Sequence, residues 1–319
     1  MLFEKQIVNL FRSQFLTRCD DKGIAHYFST EDFPGLIRES HPFPATGGHT
    51  LQGYFYHYGN PISGRILVFD HGFGGGHSAY MKEIELLCRH GFLVFAYDHT
   101  GCMESGGDNC GGLSQSLMDL KDCLTHLKTT ERCKDLDFSV MGHSWGGFST
   151  LNIAALHPEI SHIVVLSGFV SVEKLVGQFL GNLLKGYCKP ILAEEAKTHA
   201  PFCHLNAVES LSGTDARTLL IYSANDKLVN KAVHFDALKS GLAHKDNIRL
   251  LLVENKGHNP NYTEDAVKYL GEYTSAVAKQ QKKLKTDAEK KAFRDSWDWD
   301  RMTQQDESVW TEIFKTLDA

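Results

Sequence analysis

The sequence predicts an α/β fold: a mostly parallel central sheet with helices on both faces. Two observations carry this. Short apolar runs that read as buried strands alternate with longer stretches of helical periodicity. One such run, Leu136-Asp137-Phe138-Ser139-Val140-Met141, passes straight into Gly142-His143-Ser144-Trp145-Gly146, and a helical stretch from Phe148 to Leu156 follows. A strand, a glycine-flanked serine and a helix in that order form a turn tight enough to expose the serine hydroxyl at the sheet edge.

Residues 2–18 place Leu2, Phe3, Ile7, Leu10, Phe11 and Phe15 near helical spacing. This amphipathic helix is expected to lie on the domain body, because its polar face lacks the strong basic charge of a membrane binder. Residues 1–49 are therefore an N-terminal helix and lead-in. Leu51 to Tyr58 alternates weakly and is expected at a sheet edge. Arg65-Ile66-Leu67-Val68-Phe69 is a buried strand. Ala79 to His90 reads as a helix closed by Gly91. Phe92 to Tyr97 is a fully apolar strand. Leu113, Leu117, Leu120, Leu124 and Leu127 mark a helix from Leu113 to Lys128. Ile163–Leu166, Thr218–Tyr222 and Ile248–Val253 complete the strands.

The interval between Leu166 and Arg217 is too long for one crossover helix. Residues 171–186 and Glu194 to His199 have helical character, so 169–214 is expected to be a helical cap. Residues 50–168 and 215–281 then form the core. In the tail, 282–319, lysines alternate with acids, and Trp310, Ile313, Phe314 and Leu317 make one face of a terminal helix. That face packs on the body or on a second copy of the chain, which leaves a homodimer open.

The 319 residues, 42% hydrophobic and 23% charged, describe an ordinary globular chain able to bury a large core. A formal charge of −6 argues against a nucleic-acid partner. No apolar run approaches the length of a membrane span, so stable membrane insertion is not expected. The eight cysteines include no C-x-x-C pair. Cys102 and Cys110 flank a glycine-rich loop, where a reactive role is the alternative to the packing or chance placement expected of them. Free thiols, and a start without the basic and apolar stretches of an export signal, lead us to expect a cytoplasmic location. The sequon Asn261-Tyr262-Thr263 then carries no weight.

A serine hydroxyl is a poor nucleophile at neutral pH and needs a base held by an acid. Ligands of parallel sheets bind beyond the carboxyl ends of the strands, so the partners are sought in later strand-end loops. Asp226 follows the strand ending at Tyr222, and His258 follows the strand ending at Val253. With 17 histidines in the chain, His258 alone would be a weak signal. Ser144, Asp226 and His258, in order and each after its own strand, form the candidate catalytic triad. Asn225 and Asp236 are neighbouring alternatives to Asp226, but Asn carries no charge and Asp236 falls inside a predicted helix. His143 adjoins the serine, yet the tight turn points it away from the hydroxyl. The loop Asp70-His71-Gly72-Phe73-Gly74-Gly75-Gly76-His77 follows another strand. Its glycines uncover backbone N–H groups, and those of Phe73 and Trp145 are the candidate oxyanion donors. The loop lacks both the Walker and the G-x-G-x-x-G phosphate-binding patterns.

His71-Gly72-Phe73-Gly74, Gly142-His143-Ser144-Trp145-Gly146, Asp226 and Gly257-His258 together resemble the α/β-hydrolase superfamily. Within it, the chain is similar to the serine aminopeptidase-like and acyl-esterase branches with a helical cap. The resemblance covers roughly residues 50–280, a boundary good to a few residues. It implies the α/β-hydrolase fold with an eight-stranded sheet, and no metal or organic cofactor. Asp98-His99-Thr100-Gly101 resembles that family's acidic-residue-to-glycine loop, with Thr100 where its arginine usually stands.

The activity expected is that of a serine hydrolase cleaving a small carboxylic ester through an acyl-enzyme. The alternative is a peptidase or amidase using the same triad on a short peptide, with Glu173, Glu194 and Glu195 of the cap available to bind a substrate amine. A non-catalytic binding module would usually lack a triad member, and none is missing. Epoxide hydrolase and dehalogenase chemistry need a carboxylate where Ser144 stands.

Overall fold

The computed structural model of the chain describes residues 3–62 and 64–319. Eight strands form one sheet: β1 (Ile37–Ser40), β2 (Gly53–His57), β3 (Arg65–Asp70), β4 (Leu93–Tyr97), β5 (Asp137–His143), β6 (His162–Leu166), β7 (Arg217–Ser223) and β8 (Ile248–Val253). Their spatial order is β1-β2-β4-β3-β5-β6-β7-β8. Only β2 runs against its neighbours; every pairing from β4 to β8 is parallel. The central strands bear Val, Ile, Leu and Phe without polar alternation because both faces are covered. Ile66, Val68, Val140, Ile163 and Val165 pack into the apolar layer on one face, and Leu67, Phe69, Met141, Val164 and Leu219 into the layer on the other.

Twelve helices surround the sheet among the described residues. Those that matter for the site are α1 (Glu4–Phe15), α2 (Met81–Arg89), α3 (Gln115–Leu127), α4 (Ser144–Asn152), α5 (Val172–Leu184), α6 (Cys188–His199) and α7 (Ala207–Ser212). The chain from β6 to β7 holds α5, α6 and α7. In α5, Gly181 breaks the helix with a left-handed φ of 63°. Helix α1 buries Phe11 and packs on α6, while Leu10 stays exposed. Leu2, assigned to the same face by its spacing, lies outside the described residues. The tail closes one face of the sheet: Val309, Trp310, Ile313 and Leu317 join the layer containing Leu219 and Ile221.

Two expectations are corrected. The segment from Leu51 to Tyr58 is not the edge; β2 has β1 outside it. Ile37-Arg38-Glu39-Ser40 has no apolar alternation because all four residues are exposed at the rim. Helix α6 begins at Cys188 rather than near Glu194. Pro190 reads as a breaker, but it sits in the first turn, where its missing N–H costs no helical bond.

Candidate active site

Strand β5 ends at His143 and α4 begins at Ser144, whose φ of 57° is left-handed. A non-glycine residue held there stores strain of about 1–3 kcal/mol. The surrounding packing enforces it. A Cβ on Gly142 would strike the Gly146 carbonyl, and one on Gly146 would strike the backbone of Asp70 and His71. Glycine at both positions therefore lets β5 turn into α4 against the end of β3.

The loops after β5, β7 and β8 bring three side chains into line. His258 Nε2 lies 2.7 Å from Ser144 Oγ, and His258 Nδ1 lies 2.8 Å from Asp226 Oδ2. A carboxylate can only accept, so Nδ1 carries the proton and Nε2 is free to accept from the hydroxyl. Asp226 is buried, which by itself raises a carboxyl pKa. The His258 hydrogen bond and the Leu228 and Val229 amides, 2.8 and 3.0 Å from Oδ1, outweigh burial and hold it below the ordinary value. Asn225 and Asp236 do other work. Asn225 Oδ1 accepts the Gly257 N–H at 2.9 Å and so fastens the histidine loop, while Asp236 pairs with Lys231 at 2.8 Å.

His143 does not touch Ser144 but steadies His258. Its Nε2–H donates to the His258 carbonyl at 2.8 Å. Its Nδ1 accepts from the Tyr80 hydroxyl at 2.8 Å, and that hydroxyl accepts the Gly72 N–H at 3.1 Å. Burial, reinforced by His258, pushes His143 down to about 3, so the ring is neutral. From the other side, Lys256 Nζ reaches the Tyr262 carbonyl at 2.7 Å and the Asp306 carboxylate of the tail. Neither support was visible in sequence, because each joins segments far apart along the chain.

Phe73 follows β3 by three residues and sets its ring edge-on to Trp145, centroids 5.2 Å apart. The Trp145 N–H is the second of α4, among the first four donors without an intrahelical partner. Beneath this loop lies a fully buried ionic layer. His99 Nδ1 is 3.2 Å from Asp119 Oδ2. His99 Nε2 is 3.0 Å from Asp70 Oδ1, at an angle that makes an ion pair rather than a hydrogen bond. Burial opposes charge on His99, but the Asp70 and Asp119 carboxylates prevail and raise it to about 10. The ring of His71, 4.4 Å from that of His99, is pushed down to about 3 by burial and by His99. Its Nε2 accepts the His99 N–H at 2.9 Å.

Two of the acids on the helices between β6 and β7 are engaged. Glu194 pairs with Arg12 of α1 at 2.7 Å and with Lys197 at 2.6 Å. Glu195 is buried and accepts the Leu113 N–H at 2.8 Å, the Ser114 N–H at 2.9 Å and the Ser114 hydroxyl at 2.6 Å. Glu173 is exposed.

This strand order and glycine-flanked turn are those of the α/β-hydrolase fold. Residues 62–201 match the family described as serine aminopeptidase, S33. A protein of Rhizobium rhizogenes assigned as a carbamate hydrolase is 31% identical over 104 residues, 32% of this chain and 37% of that one. Mouse monoglyceride lipase is 29% identical over 148 residues, 46% of this chain and 44% of the lipase. The chain thus aligns with less than half the length of these curated relatives. Among solved structures, an esterase of Pyrococcus furiosus superposes with a TM-score of 0.60 at 18% identity, over 84% of this chain and 98% of the esterase.

Proposed function

We propose that the chain is a serine hydrolase that cleaves small carboxylic esters. The observation that carries this reading is the Ser144–His258–Asp226 line, with contacts of 2.7 and 2.8 Å. Ser144 Oγ attacks the acyl carbonyl while His258 Nε2 takes its proton. The Phe73 and Trp145 amides hold the developing oxyanion. His258 then protonates the leaving alcohol, and water, deprotonated by the same nitrogen, releases the acid. Asp226 keeps the imidazole in the required tautomer. Every proton in this sequence moves through His258, so no metal or organic cofactor is invoked. We place the reaction in the cytoplasm, on the basis of the free thiols.

Two further observations favour esters over amides. An aminopeptidase needs a free acid for the substrate amine; two of the three acids considered, Glu194 and Glu195, are committed to Arg12, Lys197 and the start of α3, which leaves only the exposed Glu173. An apolar groove of about 330 Å³ runs between α1, α5 and α6, lined by Leu10, Phe11, Phe15, Val176, Phe179 and Leu180 among others. Phe15 at its end contacts Phe73, ring centroids 5.4 Å apart, so the groove leads to the oxyanion loop and suits an apolar acyl chain. The name of the lipase relative agrees with that chemistry.

The test is a fluorophosphonate label and a panel of p-nitrophenyl esters and aminoacyl anilides on the wild type and Ser144→Ala. We expect labelling and ester turnover in the wild type alone, with anilides cleaved far more slowly. Turnover retained by Ser144→Ala refutes the nucleophile; faster anilide cleavage moves the chain to the peptidase reading.

A further inference from the structure

Three of the eight cysteines converge where no sequence spacing joins them. Cys19 lies between α1 and β1, and Cys102 and Cys110 lie on the loop after β4. Cys110 Sγ is 3.3 Å from Cys19 Sγ and 3.9 Å from Cys102 Sγ, and all three sulfurs lie within 4.8 Å of one another. Among the described residues, this is the one group of three or more His, Cys, Asp or Glu donor atoms so close together.

The backbone sets this convergence in advance. Cys19 N–H donates to the Gly101 carbonyl at 2.9 Å, Met103 N–H to the Cys19 carbonyl at 3.1 Å, and Cys110 N–H to the Thr17 carbonyl at 3.2 Å. Arg18 clamps the same loop through the Gly107 and Met103 carbonyls, at 2.6 and 3.0 Å. Gly101 has a φ of 67°, and a Cβ there would run into the Asn109 backbone. Glycine at 101 therefore lets the loop fold back until Cys102 meets Cys110.

Convergence of sulfurs separates this group from the other five thiols. Burial raises Cys88, Cys123, Cys133, Cys188 and Cys203, as for inert core sulfurs. In the cluster, the Cys110 thiol lies against the Cys19 sulfur and 2.7 Å from the Thr17 carbonyl. Around one ion with metal–sulfur bonds of about 2.3 Å, thiolates sit roughly 4 Å apart, close to the separations observed.

We propose that Cys19, Cys102 and Cys110 form a three-thiolate site for a single thiophilic cation of the zinc class. It pins the lead-in from α1 to the loop after β4. Thiolate donors select such ions over magnesium or calcium. The site is independent of the ester chemistry, since none of its sulfurs enters the triad, and its role is to hold structure.

The test uses the full chain, reduced and stripped of metal, titrated with Cd²⁺ as the probe. The thiolate-to-cadmium ultraviolet band and intact-mass stoichiometry are followed. We expect one ion per chain and a higher Tm. Losing an outer partner of a metal ligand costs about 10- to 100-fold in affinity, so Cys110→Ser should lose at least roughly 100-fold. Cys203→Ser should bind as the wild type does. No saturable band, or equal binding by Cys110→Ser, overturns the proposal. Should Cys110→Ser fail to fold, anomalous diffraction from wild-type crystals grown with Cd²⁺ decides. A peak among the three sulfurs supports the site; no peak there overturns it.

Discussion

His143 Nε2–H donates to the backbone carbonyl of His258 across 2.8 Å. The residue before Ser144 therefore holds the loop that carries His258. Through Tyr80 the same ring is linked to the Gly72 N–H, one residue before Phe73. The Ser144 turn, the His258 loop and the Phe73 loop share one hydrogen-bonded chain.

His143→Leu removes this link and leaves the His258 carbonyl and Tyr80 hydroxyl without their partner. An unsatisfied buried group costs about 1–3 kcal/mol. We expect a lower Tm and a fall in kcat of roughly tenfold, the equivalent of ~1.4 kcal/mol. Steady-state ester kinetics beside thermal melts will check it; unchanged kcat would mean that the loop holds itself.

Asp226→Asn keeps the shape but turns the proton logic of His258 around. The amide can donate to Nδ1, which favours the tautomer with Nε2 protonated and unable to take the serine proton. In a triad this costs about four orders of magnitude in kcat. Circular dichroism should show an intact fold. A near-normal rate would place the acid elsewhere.

His99 makes stability depend on alkaline pH. Its value is raised from 6.5 to about 10 in the fold, so the folded state binds the extra proton. The resulting stabilisation is complete below about 6.5 and is lost as pH rises through about 10. Urea midpoints measured across that window should fall, and His99→Asn should flatten the slope. A midpoint that climbs with pH would contradict the charged assignment.

Phe15→Ala shortens the wall where the apolar groove meets Phe73. Hydrophobic contacts of this size are worth about 1–3 kcal/mol in discrimination. We expect kcat/KM for an octanoyl ester to drop roughly tenfold while the acetyl ester is unaffected. Equal losses on both substrates would exclude the groove as the acyl site.

The strands and their order of appearance were legible because each buried strand is a dense apolar run bounded by turn residues. The approach of Ser144, Asp226 and His258 was legible for a related reason. Each follows its own strand, and parallel topology puts those ends on one side. Strand β1 was not legible: Ile37-Arg38-Glu39-Ser40 is held by backbone pairing at an exposed rim, which leaves no hydrophobic signature. The His143–His258 link and the Lys256–Asp306 contact were hidden because they depend on how loops close in space. Cys19 shows the same limit. Its partners lie more than eighty positions along the chain, at 102 and 110.

The left-handed backbone at residue 144 has a last consequence. Glycine is the one amino acid at ease in that conformation, so Ser144→Gly should relieve the turn and melt at a higher temperature than the native protein. Durability and reactivity pull in opposite directions at this one position. Under the proposed reaction, a population screened for heat resistance alone would drift toward sturdier, inert descendants.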